Sequence, residues 1–138
     1  MPAVNFQQWL DRVGTSLFDG DFDTYRDSIL LPLTVATPNA THIVDDDAGL
    51  LQGFTAWVDM MKGLEIDSMI RIARDVEQLG AALIVGRYET ELLRGATRVV
   101  EPFASSMQLR CGDDGLWRCF SVTSGFRAAA SWPIDRPK

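Results

Sequence analysis

From Met69 to Ser124 the chain reads MIRIARDVEQLGAALIVGRYETELLRGATRVVEPFASSMQLRCGDDGLWRCFSVTS. Apolar and polar residues alternate over most of this stretch, the period-2 pattern of strands with one buried face. Gly80, Gly95 and the Asp114-Gly115 pair interrupt the alternation and predict three tight turns. Four long antiparallel strands follow. Their register is chosen by requiring that apolar residues share a face, since a slip of one residue turns every side chain over. A two-residue loop at Gly95-Ala96 pairs Leu92 with Val99, Thr90 with Glu101, Tyr88 with Phe103, Gly86 with Ser105 and Ile84 with Met107. The last hairpin places Phe120 beside Met107, Val122 beside Ser105 and Ser124 beside Phe103. A turn at Leu79-Gly80-Ala81 adds Val76, Arg74, Ile72 and Ile70 to that inner face. Arg87, Glu89, Glu91, Arg98, Gln108 and Arg110 share the outer one. Pro102 and Gly86 mark places where a bulge inverts part of such an assignment.

The segment before this sheet reads as its cover. Phe6, Trp9, Leu10, Val13 and Leu17 recur at helical spacing, with Asn5 as N-cap and Gly20 as stop. Asp21 caps a short second helix carrying Phe22, Tyr25 and Ile29. Leu31 to Thr37 and Thr41 to Asp45 form a small hairpin around Pro38-Asn39, separate from the main sheet. Asp45-Asp46-Asp47 opens a third helix, where one carboxylate caps and the others complement the helix dipole. Leu50, Leu51, Phe54, Trp57, Val58 and Met61 form its apolar stripe, and Gly63 ends it.

A chain of 138 residues is expected to be a single domain, with its core over about 5–126 and a tail over 127–138 in which Trp132 docks on the sheet or on a second copy. With 46% hydrophobic and 23% charged residues the composition is globular. A net charge of -6 without any basic run argues against nucleic acid or anionic membrane as partner. Met1 to Leu10 has neither a basic start nor an apolar run, so a cytoplasmic placement is the default expectation. Cys111 and Cys119 fall on opposite faces of a hairpin and are read as reduced thiols. One histidine and no CxxC give no zinc ligand set, and neither a metal nor another cofactor is expected.

The order of helix, short helix, small hairpin, helix and long curved sheet resembles the nuclear transport factor 2 fold, a cystatin-like α+β cone. The resemblance spans Phe6 to Phe126 and is carried by Leu31-Pro32-Leu33-Thr34-Val35, by Glu89-Thr90-Glu91-Leu92-Leu93-Arg94-Gly95 and by Gly115-Leu116-Trp117-Arg118. It implies a strongly curved antiparallel sheet wrapped around three helices, a bacterial SnoaL-like subgroup, and a homodimer through the outer sheet face, where Val100 and Ala104 mix with charges. The same resemblance tests chemistry. Steroid isomerases place an Asp base before a Pro at the end of the first short strand, where this chain has Thr37-Pro38. Their oxyanion-binding Tyr falls at Val13, and their second acid near Ser105, Ser106 and Met107. Scytalone dehydratase uses two histidines, and only His42 is present. Neither chemistry carries over.

The residues themselves leave several candidates. Glu101 and Arg74, both placed on the inner face, would form a polar pair inside an apolar cavity, with Glu101 as an acid or base of raised pKa. His42 is the sole side chain titrating near neutrality. Tyr88, Thr90, Phe103, Ser105 and Ser124 complete a ligand-binding wall for a small apolar or weakly acidic molecule. The leading expectation is a small-molecule-binding domain with a mostly apolar pocket closed by the first and third helices. The alternatives are an isomerase or lyase using Glu101 or His42, and a dimeric scaffold with a filled core.

Overall fold

The computed structural model describes residues 5–126; the tail, with Trp132, lies outside them. Helix α1 (Phe6–Asp19) starts where the Asn5 side chain accepts from the Gln8 N–H, and ends at Gly20, whose φ of 73° closes the last turn. Helix α2 (Phe22–Asp27) is capped by Asp21. Strands β1 (Ile29–Ala36) and β2 (Thr41–Val44) form the hairpin. Helix α3 (Asp47–Gly63) begins at Asp46, which caps the Gly49 N–H at 2.7 Å, while Asp47 pairs with Arg26. Two of the three acidic residues, Asp46 and Asp47, are therefore occupied by capping and ion pairing. No membrane-length apolar helix occurs among the described residues.

Strands β3 (Ser68–Leu79), β4 (Leu83–Arg94), β5 (Thr97–Arg98), β6 (Phe103–Cys111) and β7 (Trp117–Ser124) follow. The sheet runs β2-β1-β7-β6-β4-β3, with β5 on the end of β4. The α+β cone expected from the sequence is present, with one correction. The small hairpin is not separate: β1 pairs in parallel with β7 and extends the sheet. The chain between β1 and its parallel partner β7 includes α3 and five other strands, so this is a long-range pairing that local pattern does not encode.

The register departs from expectation in three places. Thr90 faces Phe103, Tyr88 faces Ser105 and Gly86 faces Met107, a shift of two residues. Parity survives, so Tyr88, Thr90, Phe103, Ser105 and Met107 keep the inner face. Glu101-Pro102 instead lies in the break between β5 and β6, and Glu101 is exposed. In the last hairpin Met107 faces Val122 and Ser105 faces Ser124, with a register shift after Gln108. Phe120 therefore leaves the interior and lies under the Arg110 guanidinium, 5.3 Å from ring centroid to carbon, while Cys119 and Trp117 are buried.

The third departure decides the site. β3 carries a bulge between Ala73 and Asp75 that places one extra residue opposite the Tyr88–Arg87 step. Beyond the bulge the faces exchange. Arg71 now opposes Thr90 and Ala73 opposes Tyr88, whereas Ile72 opposes Glu89. Arg74 turns outward and pairs with Glu89. On the same outer face Arg98 pairs with Glu91 and Arg87 with Asp75. Arg74 is thus an outer-face residue, and Arg71 takes the inward place expected for it.

Helix α1 also covers the free edge of β3. Gln7 donates to the Arg71 carbonyl at 2.7 Å and accepts from the Ala73 N–H at 2.8 Å. One amide side chain thus satisfies two backbone groups that an edge strand leaves open. Two apolar clusters fill the cone. One joins Phe6, Trp9, Leu10 and Val13 to Ile84, Tyr88, Leu109 and Trp117. The other gathers Trp57, Met61, Ile66, Leu92, Phe103 and Phe126.

Candidate functional site

Between α1, α3 and the inner face of the sheet lies a cavity of about 120 Å³. Trp9 and Val13 from α1, and Leu50, Phe54 and Trp57 from α3, close it on one side. Tyr88, Thr90, Phe103, Ser105, Met107, Val122 and Ser124 form the opposite wall. All five wall residues expected to bind a ligand on β4, β6 and β7 are therefore brought together: Tyr88, Thr90, Phe103, Ser105 and Ser124. Each is less than 10% exposed. Val13 stands where the resemblance puts an oxyanion-binding Tyr, and it contributes only a methyl surface.

Three other expected residues are not brought there. Glu101 is on the exposed β5–β6 break, Arg74 is on the outer face, and the supposed Arg74–Glu101 pair does not form. His42 pairs with Val35 across the β1–β2 hairpin, on the face that carries Val44, and is not among the lining residues. Among the described residues the lining contains no Asp, Glu or His.

The polar residue that pattern reasoning missed is Arg71. It is the one charged side chain among the described lining residues. Its Nη2 donates to the Leu10 carbonyl at 2.7 Å, and its guanidinium carbon sits 5.5 Å from the centre of the Tyr88 ring. Stacking on an aromatic face favours a cation there. Its Nε is buried without a hydrogen-bond partner among the described residues. The missing signal was the bulge: neither Gly nor Pro stands at Ala73, Arg74 or Asp75 to announce it.

The titratable groups around Arg71 are held neutral. Burial raises the Tyr88 phenol, with Arg71 opposing that rise and hydrogen bonds to Ser105 and Arg71 moderating it. Burial also raises the half-buried Tyr25 phenol. The Cys119 thiol, donating to the Ser121 carbonyl, is pushed up to about 12, chiefly by burial. Cys111 and Cys119 are both free thiols.

These shifts set an alkaline limit. Cys119 keeps its proton in the folded chain at a pH where the unfolded thiol has lost it. The unfolded state then binds fewer protons, so stability falls as pH rises. The loss begins near the unfolded thiol pKa of about 8.5 and amounts to about 1.4 kcal/mol per pH unit for this group. Tyr88 adds to it from about pH 10 upward. Urea midpoints measured between pH 8 and pH 11 are expected to fall, and Cys119→Ala is expected to flatten the first part of that fall. A flat profile in the parent chain would show that the thiol is not shielded.

No protein-family model and no curated protein sequence matches the chain. Solved structures do. A cystatin-like protein of unknown function from Nostoc punctiforme PCC 73102 superposes with a TM-score of 0.68 at 13% identity, over 94% of this chain and 97% of that one. A nuclear transport factor 2-like protein of unknown function from Shewanella oneidensis MR-1 gives 0.67 at 13% identity, over 86% and 94%. A ketosteroid isomerase-like protein from Erwinia carotovora atroseptica SCRI1043 gives 0.57 at 18% identity, over 83% and 87%. The bulged sheet, its helix cover and these three likenesses agree on one architecture: the chain has the nuclear transport factor 2-like fold.

Proposed function

We propose that this domain binds a small, mostly apolar molecule inside its cone. The observation that carries the reading is the cavity itself, enclosed by α1 and α3 and walled by apolar groups with a few converging hydroxyls. A packed interior leaves few voids larger than a water molecule, so a space of this size is a feature to be accounted for. Its volume of about 120 Å³ also bounds the occupant. A void of roughly 150 Å³ holds a benzene ring, whereas drug-sized pockets run from about 300 Å³ upward. The occupant is therefore at most a single ring or a short branched chain, and a steroid skeleton does not fit.

Isomerase chemistry is the reading that the name of the Erwinia neighbour suggests. A proton-transferring enzyme needs an acid or base within reach of the reacting carbon, with a pKa near the working pH. The described lining supplies neutral phenols, a neutral thiol, hydroxyls and a guanidinium. That inventory favours binding over proton transfer.

Thermal-shift screening of single-ring and short-chain compounds tests the proposal. A ligand at about 100 times its dissociation constant adds about 2.7 kcal/mol, which moves the midpoint by several degrees in a domain of this size. Val13→Phe, which fills the cavity from α1, is expected to abolish the shift. Unchanged melting across the whole panel, or a shift that survives Val13→Phe, counts against the cavity as the binding site.

A further inference from the structure

We infer that the ligand of this cavity is a small organic monoanion whose carboxylate, or comparable oxyanion, meets Arg71. The inference rests on the reading of the cavity as a binding site and adds the charge class of the occupant.

Arg71 is a partly buried cation whose charge is left uncompensated by any carboxylate among the described residues. Asp11 and Asp67 line the outer cleft that shares Arg71 and Met69 with the cavity. Both are engaged elsewhere. Asp11 accepts from Gln7, and Asp67 accepts from the Gly95 N–H at 2.9 and 3.1 Å. Neither carboxylate forms an ion pair with Arg71 among the described residues.

Placing a charge away from water is costly unless it is paired and hydrogen-bonded. The Leu10 carbonyl and the Tyr88 ring offset part of that cost. They leave the buried Nε donor unused. A guanidinium presents its donors in a planar fork that matches a carboxylate. A carboxylate here supplies the missing charge and acceptor together. The chain as a whole carries a net charge of -6, so its overall field does not draw anions in. Selection for an anion must come from a local cation, and Arg71 is the one charged side chain on the described cavity wall. The cavity volume restricts the rest of the molecule to about one ring, which would lie among Trp9, Val13, Phe103 and Met107.

The test uses two pairs of probes matched in size and differing in charge: benzoate with benzamide, and 3-methylbutanoate with 3-methylbutanamide. Each is titrated calorimetrically into the full chain at neutral pH. Hydrogen bonds to charged groups are worth enough to favour the acid by about tenfold or more in at least one pair. The Arg71 Nε–H resonance in a nitrogen-15 spectrum should move on saturation with that acid. Arg71→Met is expected to close the gap between acid and amide, and Arg71→Lys to keep part of it. Should Arg71→Met fail to fold, the acid–amide comparison in the parent chain and in Arg71→Lys still decides. Equal affinity for acid and amide, a stationary Nε–H signal, or a gap that survives Arg71→Met overturns the anion inference and leaves the cavity reading standing. If neither member of either pair binds, and toluene does not bind, both fail together.

Discussion

Gly86→Ala is expected to destabilise the fold by about 3 kcal/mol, although strand preference alone predicts a small gain. A Cβ built on Gly86 falls 2.4 Å from Phe6 Cζ, with Cε2 at 2.5 Å and Cε1 at 2.8 Å. The ring cannot simply retreat. Phe6 is buried, packs edge-on to Tyr88, and opens a helix fixed by the Asn5 cap and by the Gln7 clamp on β3. Urea unfolding reads the effect as a lower midpoint at unchanged slope. Phe6→Leu should cost less in the Gly86→Ala background than in the parent chain, because the two positions share one space. A midpoint that stays level or rises in Gly86→Ala would mean that Phe6 does not sit on this glycine.

That contact explains why Gly86 resists a purely local reading. A glycine in a central strand suggests a bulge or a close approach, and either is consistent with the pattern. Here β4 is regular at Gly86, which pairs with both Val76 and Met107. The bulge lies on β3 opposite the neighbouring Tyr88–Arg87 step. The glycine is the seat of a helix residue eighty positions upstream in sequence, a fact that no window on the strand contains.

The same distinction runs through the rest of the chain. Helix α1 was legible because its apolar stripe, its Asn5 cap and its Gly20 stop all lie within one short segment. The inner faces of β4 and β6 were legible because alternation has period two. A register error of two residues leaves every side chain on its correct side, so Tyr88, Thr90, Phe103 and Ser105 stayed inside. Glu101 did not benefit, since the two-residue shift moved it off the strand altogether.

β3 was misread for a physical reason. Alternation alone prefers Ile70 and Ile72 inside and Arg71 outside. The bulge reverses that preference and leaves Ile70 40% exposed. What offsets the exchange is specific and non-local: the Leu10 carbonyl, the Tyr88 ring and the Gln7 amide all receive β3 in its bulged form. Each of those partners is far away in sequence. The hydroxyl wall could be read from parity, whereas the cation that gives the cavity its chemical character could not.

Trp9→Ala is expected to cost about 4 kcal/mol, and the loss should be partly reversed by free indole. Trp9 is 3% exposed, lines the cavity, and donates its indole N–H to the Trp117 carbonyl at 3.1 Å. It therefore ties α1 to β7. Removing the ring opens a space continuous with the existing cavity and leaves the Trp117 carbonyl without its donor. Trp9→Phe retains most of the volume and loses the donor, so its cost should be nearer 1–2 kcal/mol, the penalty of an unpaired buried acceptor. Indole matches both the missing shape and the missing N–H. It should raise the melting midpoint of Trp9→Ala by more than it raises that of the parent chain, and 1-methylindole, which lacks the donor, should do so less. Equal rescue by the two compounds would remove the hydrogen bond from the explanation while keeping the cavity. Absence of rescue by either would mean that the enlarged space collapses, and that α1 rather than the sheet sets the cavity's shape.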